Sequence, residues 1–158
     1  MTDDMSPSDS PRDDAASQFG ASELVDIQLR WGDLDLNAHV NNVIYARLLE
    51  EARVRAMSRW FSDGVPRIPV LVARQDIEFR SVLHYSPDPV VVGLAITRLG
   101  TSSYTIGSTI TAPDGTLCAV ARTTMVTIDP TTSRPMPIPP AVREVLATYQ
   151  GQLPDLRG

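Results

Sequence analysis

The sequence predicts an α+β domain: one five-stranded antiparallel sheet wrapped around one long helix. Three observations carry that prediction. A single alternating apolar/polar run, 24–31, is followed by one segment of helical period, 43–61. After Pro69 nearly everything reads as strand, in four runs. The last three runs are joined by short turns, so they pair as an antiparallel meander. A single sheet has one face to cover, and one long helix is there to cover it.

In Leu24–Trp31, Val25, Ile27, Leu29 and Trp31 alternate with Asp26, Gln28 and Arg30, the period of a half-buried strand. The polar stretch Gly32–Asn42 is a connection. In Val43–Phe61, Tyr45, Leu48, Leu49, Ala52, Ala56 and Trp60 form one stripe, while Arg47, Glu50, Glu51, Arg53, Arg55 and Arg59 read as a solvated or subunit-facing surface. Glu51 and Arg55 are a favourable i,i+4 pair, and Asn41 or Asn42 suits the N-cap. Ser62-Asp63-Gly64 stops the helix. Pro69–Arg80 alternates late; Pro89–Leu99 is Val-rich and reads as buried on both faces; Ser102–Ala112 alternates Thr and Ser with Ile and Tyr. Pro113-Asp114-Gly115 is a turn, because Pro fixes φ and Gly permits positive φ. Thr116–Ile128 is the last strand, and a Pro-rich loop leads to a short helix near Pro140–Gln150.

These elements define a domain over 23–150, an acidic tail expected to be disordered over 1–22, and a flexible C-terminal tail, 151–158. The 158 residues, 42% hydrophobic, suffice for one core without staples. The first 22 residues hold four of the five net negative charges, so the domain is nearly neutral and offers phosphates no basic stripe. Nucleic-acid binding is disfavoured on that ground. No apolar run is long enough to span a bilayer, and no signal-peptide pattern opens the chain, so the expected location is the cytoplasm.

Composition removes several chemistries. All 14 basic residues are Arg. Without Lys there is no Walker-type phosphate loop and no Schiff base. Cys118, His39 and His84 are too few and too scattered for a Cys/His zinc site, so no metal and no cofactor is expected. Cys118, flanked by Leu117, Ala119 and Val120, reads as a small buried hydrophobe, and His84 as an ordinary strand-end residue.

The segment that carries chemistry is 33–45, Asp-Leu-Asp-Leu-Asn-Ala-His-Val-Asn-Asn-Val-Ile-Tyr. It gathers two carboxylates, three Asn and one His just before a helix N-terminus. That terminus offers unpaired N–H groups and partial positive charge, which suit an oxyanion forming on a thioester or ester carbonyl. Asp35 or His39 is placed to activate water, and Asn37 to hold the His ring or that water. Asp33 reads as a turn-closing acid, and Asn41 and Asn42 as caps.

The segment resembles the motif of hotdog-fold acyl thioesterases of the 4-hydroxybenzoyl-CoA thioesterase-like superfamily, nearest to bacterial long-chain acyl-CoA and plant acyl-carrier-protein thioesterases. The resemblance runs over about 24–140 and includes Leu49-Glu50-Glu51-Ala52-Arg53, Asp76-Ile77-Glu78-Phe79-Arg80, Leu99-Gly100-Thr101-Ser102-Ser103 and Val126-Thr127-Ile128-Asp129. It implies hydrolysis of an acyl-CoA or acyl-carrier-protein thioester, with Asp35 as general base or nucleophile. Asn37 and His39 match the Asn and His of the plant enzymes. Backbone N–H groups near Asn41, Asn42 and Val43 would polarise the carbonyl, and the turn containing Gly100, Ser102 and Ser103 would receive the pantetheine arm. The sequence departs from the plant pattern at Val82 and Leu83, where those enzymes carry Glu and Cys. This shifts weight to a mechanism centred on Asp35.

Two other functions fit the same fold: an acyl-thioester hydratase or dehydratase, and a non-catalytic acyl-thioester binder. The hydratase pattern places Asp and His five apart with Asn-Pro between them; Asp35 and His39 are four apart and Ala38 replaces Pro, which favours hydrolysis. The resemblance also implies a homodimer or homotetramer with the site at a subunit boundary. The strand 102–112 has no Lys, Glu or Pro to blunt it and is a candidate for the edge that would pair, its place in the sheet not being fixed by sequence alone.

Overall fold

The computed structural model describes residues 19–158; the expected acidic tail lies outside the described residues up to residue 18. The elements are β1 (Glu23–Ile27), a 3₁₀ turn (Trp31–Asp33), α1 (Asn42–Trp60), β2 (Val70–Phe79), β3 (Val90–Leu99), β4 (Ser103–Thr111), β5 (Leu117–Thr127) and α2 (Pro140–Thr148). All strand pairs are antiparallel, in the order β1-β3-β4-β5-β2. The fold is α+β, with α1 of 19 residues and α2 of 9.

The stripe Tyr45, Leu48, Leu49, Ala52, Ala56 and Trp60 is buried and shares one core with Val25 and Ile27 of β1, Val90, Val92, Leu94 and Ile96 of β3, and Tyr104, Ile106 and Ile110 of β4. Strand period assigns the neighbours of these residues to the other face. That face is also covered, because the chain after α2 runs across it. Gly151 N–H donates to the Ile96 carbonyl (3.1 Å), Arg80 donates to the Asp155 carbonyl (2.7 Å), and Arg122 pairs with the Asp155 carboxylate. The segment 151–158, read from sequence as a flexible tail, has no regular secondary structure but is held at these points. Gly107 leaves room for it: a Cβ there would sit 2.6 Å from Thr97 Cγ2 and 3.1 Å from Leu153 Cδ1.

Three sequence expectations need correction. The 102–112 strand is not an edge. β4 pairs with β3 on one side and β5 on the other, since a three-stranded meander uses both sides of its middle strand. The open edges are β1 and β2. Trp31 is not on the buried face of β1 but 75% exposed. The ladder stops at Ile27, and the Arg30 N–H donates to Asp33 Oδ2 (2.8 Å), turning the chain into the 3₁₀ segment. Arg53 is not part of a solvated face: it is only 8% exposed. Among the described residues no helix is long and apolar enough to cross a membrane.

Candidate active site

The connection from β1 to α1 is built by its own acids. Asp33 is buried; its Oδ2 accepts from the Arg30 N–H and from the Arg47 guanidinium (2.8 Å each), and its carbonyl accepts from the Asn41 N–H (2.8 Å). Asp35 then turns the chain. Its Oδ1 accepts from the N–H groups of Asn37 (2.8 Å) and His39 (3.2 Å). Ala38 takes φ +59°, a left-handed conformation that a side chain adopts only where the surroundings enforce it. Here the Asp35 N–H to His39 carbonyl bond (2.8 Å) and the Leu34–Val40 bridge enforce it. Asn41 caps α1, its Oδ1 accepting from the Val43 N–H (3.3 Å).

Asp35, His39 and Asn42 line one cavity of about 460 Å³ with Val40, Tyr45 and the chain 79–83 leaving β2. Tyr45 closes its floor, edge-on to Phe79 with ring centroids 4.9 Å apart. Burial raises the Tyr45 hydroxyl above its ordinary pKa. Two groups, one on the Asp35 carboxylate and one at the helix terminus, are left for a ligand. Asp35 Oδ2 makes no bond to the described residues, and the N–H of Asn42 finds no acceptor among them.

The other residues singled out from sequence lie elsewhere. Asn37 is exposed and contributes its backbone N–H, not its side chain, to the Asp35 turn. The Val43 N–H is taken by Asn41. Gly100, Ser102 and Ser103 form a turn at the opposite end of the sheet. There the Gly100 N–H donates to the Ser103 carbonyl (2.8 Å), and Arg143 donates to the Gly100 carbonyl (2.5 Å). The ten residues of β3 separate that turn from the Asp35 end, about 30 Å at strand rise. Conversely, His84 meets His39 across an isolated bridge, their rings edge-on at 5.3 Å. Nothing in the local sequence around His84 announces this, because the pairing is non-local. Cys118 is fully buried and its thiol is pushed up to about 11 by desolvation. No cluster able to hold a metal ion exists among the described residues.

Comparison with known proteins places this architecture. The chain belongs to the thioesterase-like superfamily, whose family model matches residues 29–146. No curated protein matches it. Among solved structures, the chain is similar to a thioesterase from Thermus thermophilus determined with coenzyme A and Zn: 30% identity, 82% of this chain and 95% of that one covered, TM-score 0.70. It is similar to a protein from Xanthomonas campestris provisionally assigned as an acyl-CoA thioesterase, at 37% identity over 70% and 95% of the two chains, TM-score 0.61. It is similar too to the PA5185 protein from Pseudomonas aeruginosa strain PAO1, at 26% identity over 84% and 94%, TM-score 0.72.

Proposed function

We propose that this protein hydrolyses acyl thioesters, fatty acyl-CoA in the first instance, to a free acid and a thiol. The observation that carries this reading is the meeting of Asp35, His39 and the start of α1 in one cavity. Asp35 Oδ2, held in place because Oδ1 is tied to two N–H groups, acts as general base: it takes a proton from water as the water oxygen bonds to the carbonyl carbon. The oxyanion forms beside the first turn of α1, where the Asn42 N–H and the helix dipole stabilise it. Collapse breaks the C–S bond, and the thiolate leaves with the proton. His39 orients the water or the thioester. The Thermus thermophilus relative with bound coenzyme A and the Xanthomonas campestris relative support CoA as the carrier. A reducing, cytoplasmic setting suits the single free thiol.

The working unit is a homodimer paired through β2. Of the two open edges, β1 is covered by α1, where Arg55 donates to the Asp26 carbonyl (2.7 Å) and Arg59 pairs with Glu23. β2 leaves Leu71, Val72 and Phe79 about half exposed. Antiparallel pairing of two β2 strands about a two-fold axis sets Phe79 of one protomer opposite Val70 of its partner. Val70 pairs with Thr127, and Ser103 with the adjacent Val126, so the Gly100–Ser103 turn lies at the Val70 end. The two-fold therefore brings one protomer's Asp35 end toward its partner's Gly100–Ser103 end, which sets each site at the subunit boundary. The C-terminal segment lying on the outer face of the sheet supports the dimer over a back-to-back tetramer.

The test is thiol release from palmitoyl-CoA, followed with a thiol-reactive dye on purified protein. Steady turnover is expected. Tight binding of palmitoyl-CoA without release would mark a non-catalytic binder, and hydration of an enoyl-CoA without release would mark a hydratase.

A further inference from the structure

A second cavity, about 400 Å³, lies between the C-terminal half of α1 and the strands. Its wall is mostly apolar, with Met57, Phe61, Ile68 and Met125 among its residues, and it belongs to the Val70 end of the sheet. Two polar groups interrupt it. Arg53 is 8% exposed and Tyr104 1%, and both line the cavity. Neither the Arg53 guanidinium nor the Tyr104 hydroxyl has a hydrogen-bond or ion-pair partner among the described residues. Desolvation lowers the Arg53 pKa, opposed by the nearby Glu50 carboxylate and then by Tyr104, and desolvation pushes Tyr104 up to about 12. Two more charged residues line the cavity, both exposed: Glu50, and Arg67, which donates to Ser58 Oγ (2.5 Å).

No carboxylate bonds the Arg53 guanidinium, and Glu50 acts on it only through space, so donors left unmet on a nearly buried Arg mark a place where an acceptor arrives from elsewhere. Arg donates in a fork that matches a carboxylate in two bonds, and a phenol hydroxyl beside it adds a third. The rest of the wall suits methylene groups. The cavity holds two cations against one anion, which favours an anionic occupant. Under the two-fold described above, this end of one protomer faces the Asp35 end of its partner, so an acyl group whose thioester carbon sits at Asp35 extends toward it.

We infer that this cavity receives the far end of the acyl group, and that Arg53 with Tyr104 selects acyl thioesters whose remote end carries a carboxylate. Arg53 is then the specificity-determining residue, and the preferred substrate class is the ω-carboxyacyl thioester rather than the plain fatty acyl thioester of equal length. This rests on the thioesterase reading and on the β2-paired dimer.

The test compares two substrates of equal carbon count, octanoyl-CoA and the mono-CoA thioester of suberic acid, by kcat/KM for thiol release. The wild-type chain is expected to favour the suberyl thioester by about tenfold or more, the scale of a charge-assisted hydrogen bond. Arg53→Met is expected to collapse that ratio to one or below, Arg53→Lys to retain part of it, and Tyr104→Phe to lower it several-fold. A wild-type preference for octanoyl-CoA, or an unchanged ratio in Arg53→Met, overturns the inference. Where Arg53→Met fails to fold by circular dichroism, the Tyr104→Phe ratio decides. Release of thiol from neither substrate means that the hydrolase reading has failed. Calorimetric titration with the thioether analogues S-octyl-CoA and S-(7-carboxyheptyl)-CoA then decides the inference on its own: tighter binding of the carboxylated analogue upholds it, and equal or weaker binding overturns it.

Discussion

Asp35 and His39 close one turn on each other twice: the Asp35 N–H donates to the His39 carbonyl at 2.8 Å, and the His39 N–H donates to Asp35 Oδ1 at 3.2 Å. The candidate base and the candidate orienting group therefore share a single loop, and the loop is built from the carboxylate proposed as the base. An Asn at position 35 keeps an acceptor Oδ1 for the same two N–H groups but cannot take a proton. Asp35→Asn is expected to fold normally and to lose at least ~100-fold in kcat, the usual scale for removing a general base. His39→Ala is expected to cost less, since its loop bonds are made by backbone. Equal losses in both variants, read from thiol release, would instead mark the pair as one acid–base unit.

Asp33 differs from Asp35 in what it holds. It is buried and bonded to Arg47, whose side chain is 28% exposed, and to the Arg30 N–H. Asp33→Ala leaves the Arg47 guanidinium without this partner and frees the 3₁₀ turn. The expected effect is a loss of about 3 kcal/mol in stability, seen as a lower midpoint in urea, with the Asp35 loop loosened as a consequence. A wild-type midpoint would show that the pair contributes nothing.

The dimer is tested at its edge strand. Leu71 is 52% exposed on β2, and a charge there blunts pairing. If the proposed β2-paired dimer holds, Leu71→Lys is expected to shift light scattering at micromolar concentration from two chains per particle toward one, and to lower turnover through loss of the proposed shared site. A fully active monomer, wild-type or variant, would refute the shared site.

Burial of Cys118 and Tyr104 sets a pH dependence whose sign is fixed. Folded, the thiol is pushed from 9.0 to about 11 and the phenol from 10.0 to about 12, so the unfolded chain loses these protons first as pH rises. Their contribution to stability is whole below pH 9 and falls through the window from 9 to 12. Calorimetric Tm should decline across that window, and Cys118→Ala with Tyr104→Phe should flatten the decline. For the same reason native Cys118 should label slowly with a thiol reagent at about pH 8 and quickly in guanidinium chloride. A fast native reaction would contradict its burial.

Much of this molecule was legible from residue order because the rules involved are local. The helical stripe from Tyr45 to Trp60 and the doubly buried Val run of β3 follow from period alone. The turn at Pro113-Asp114-Gly115 follows from backbone chemistry, with Gly115 at φ +89°. The motif 33–45 reads as a candidate site before a helix, and three of its residues, Asp35, His39 and Asn42, line one cavity. What the sequence left open depended on which strands become neighbours. β1 pairs with β3 and β2 with β5 across long stretches of chain, and those choices decide which edges stay open. The same non-local pairing brings His84 against His39. Arg53 shows the limit most plainly. Charge and helical position argued for a surface residue, yet α1 packs so that Arg53 enters the wall between helix and sheet. The orientation of a helix is set by the summed burial of its apolar stripe, and a residue at the stripe's margin goes inside when the larger side chains around it do.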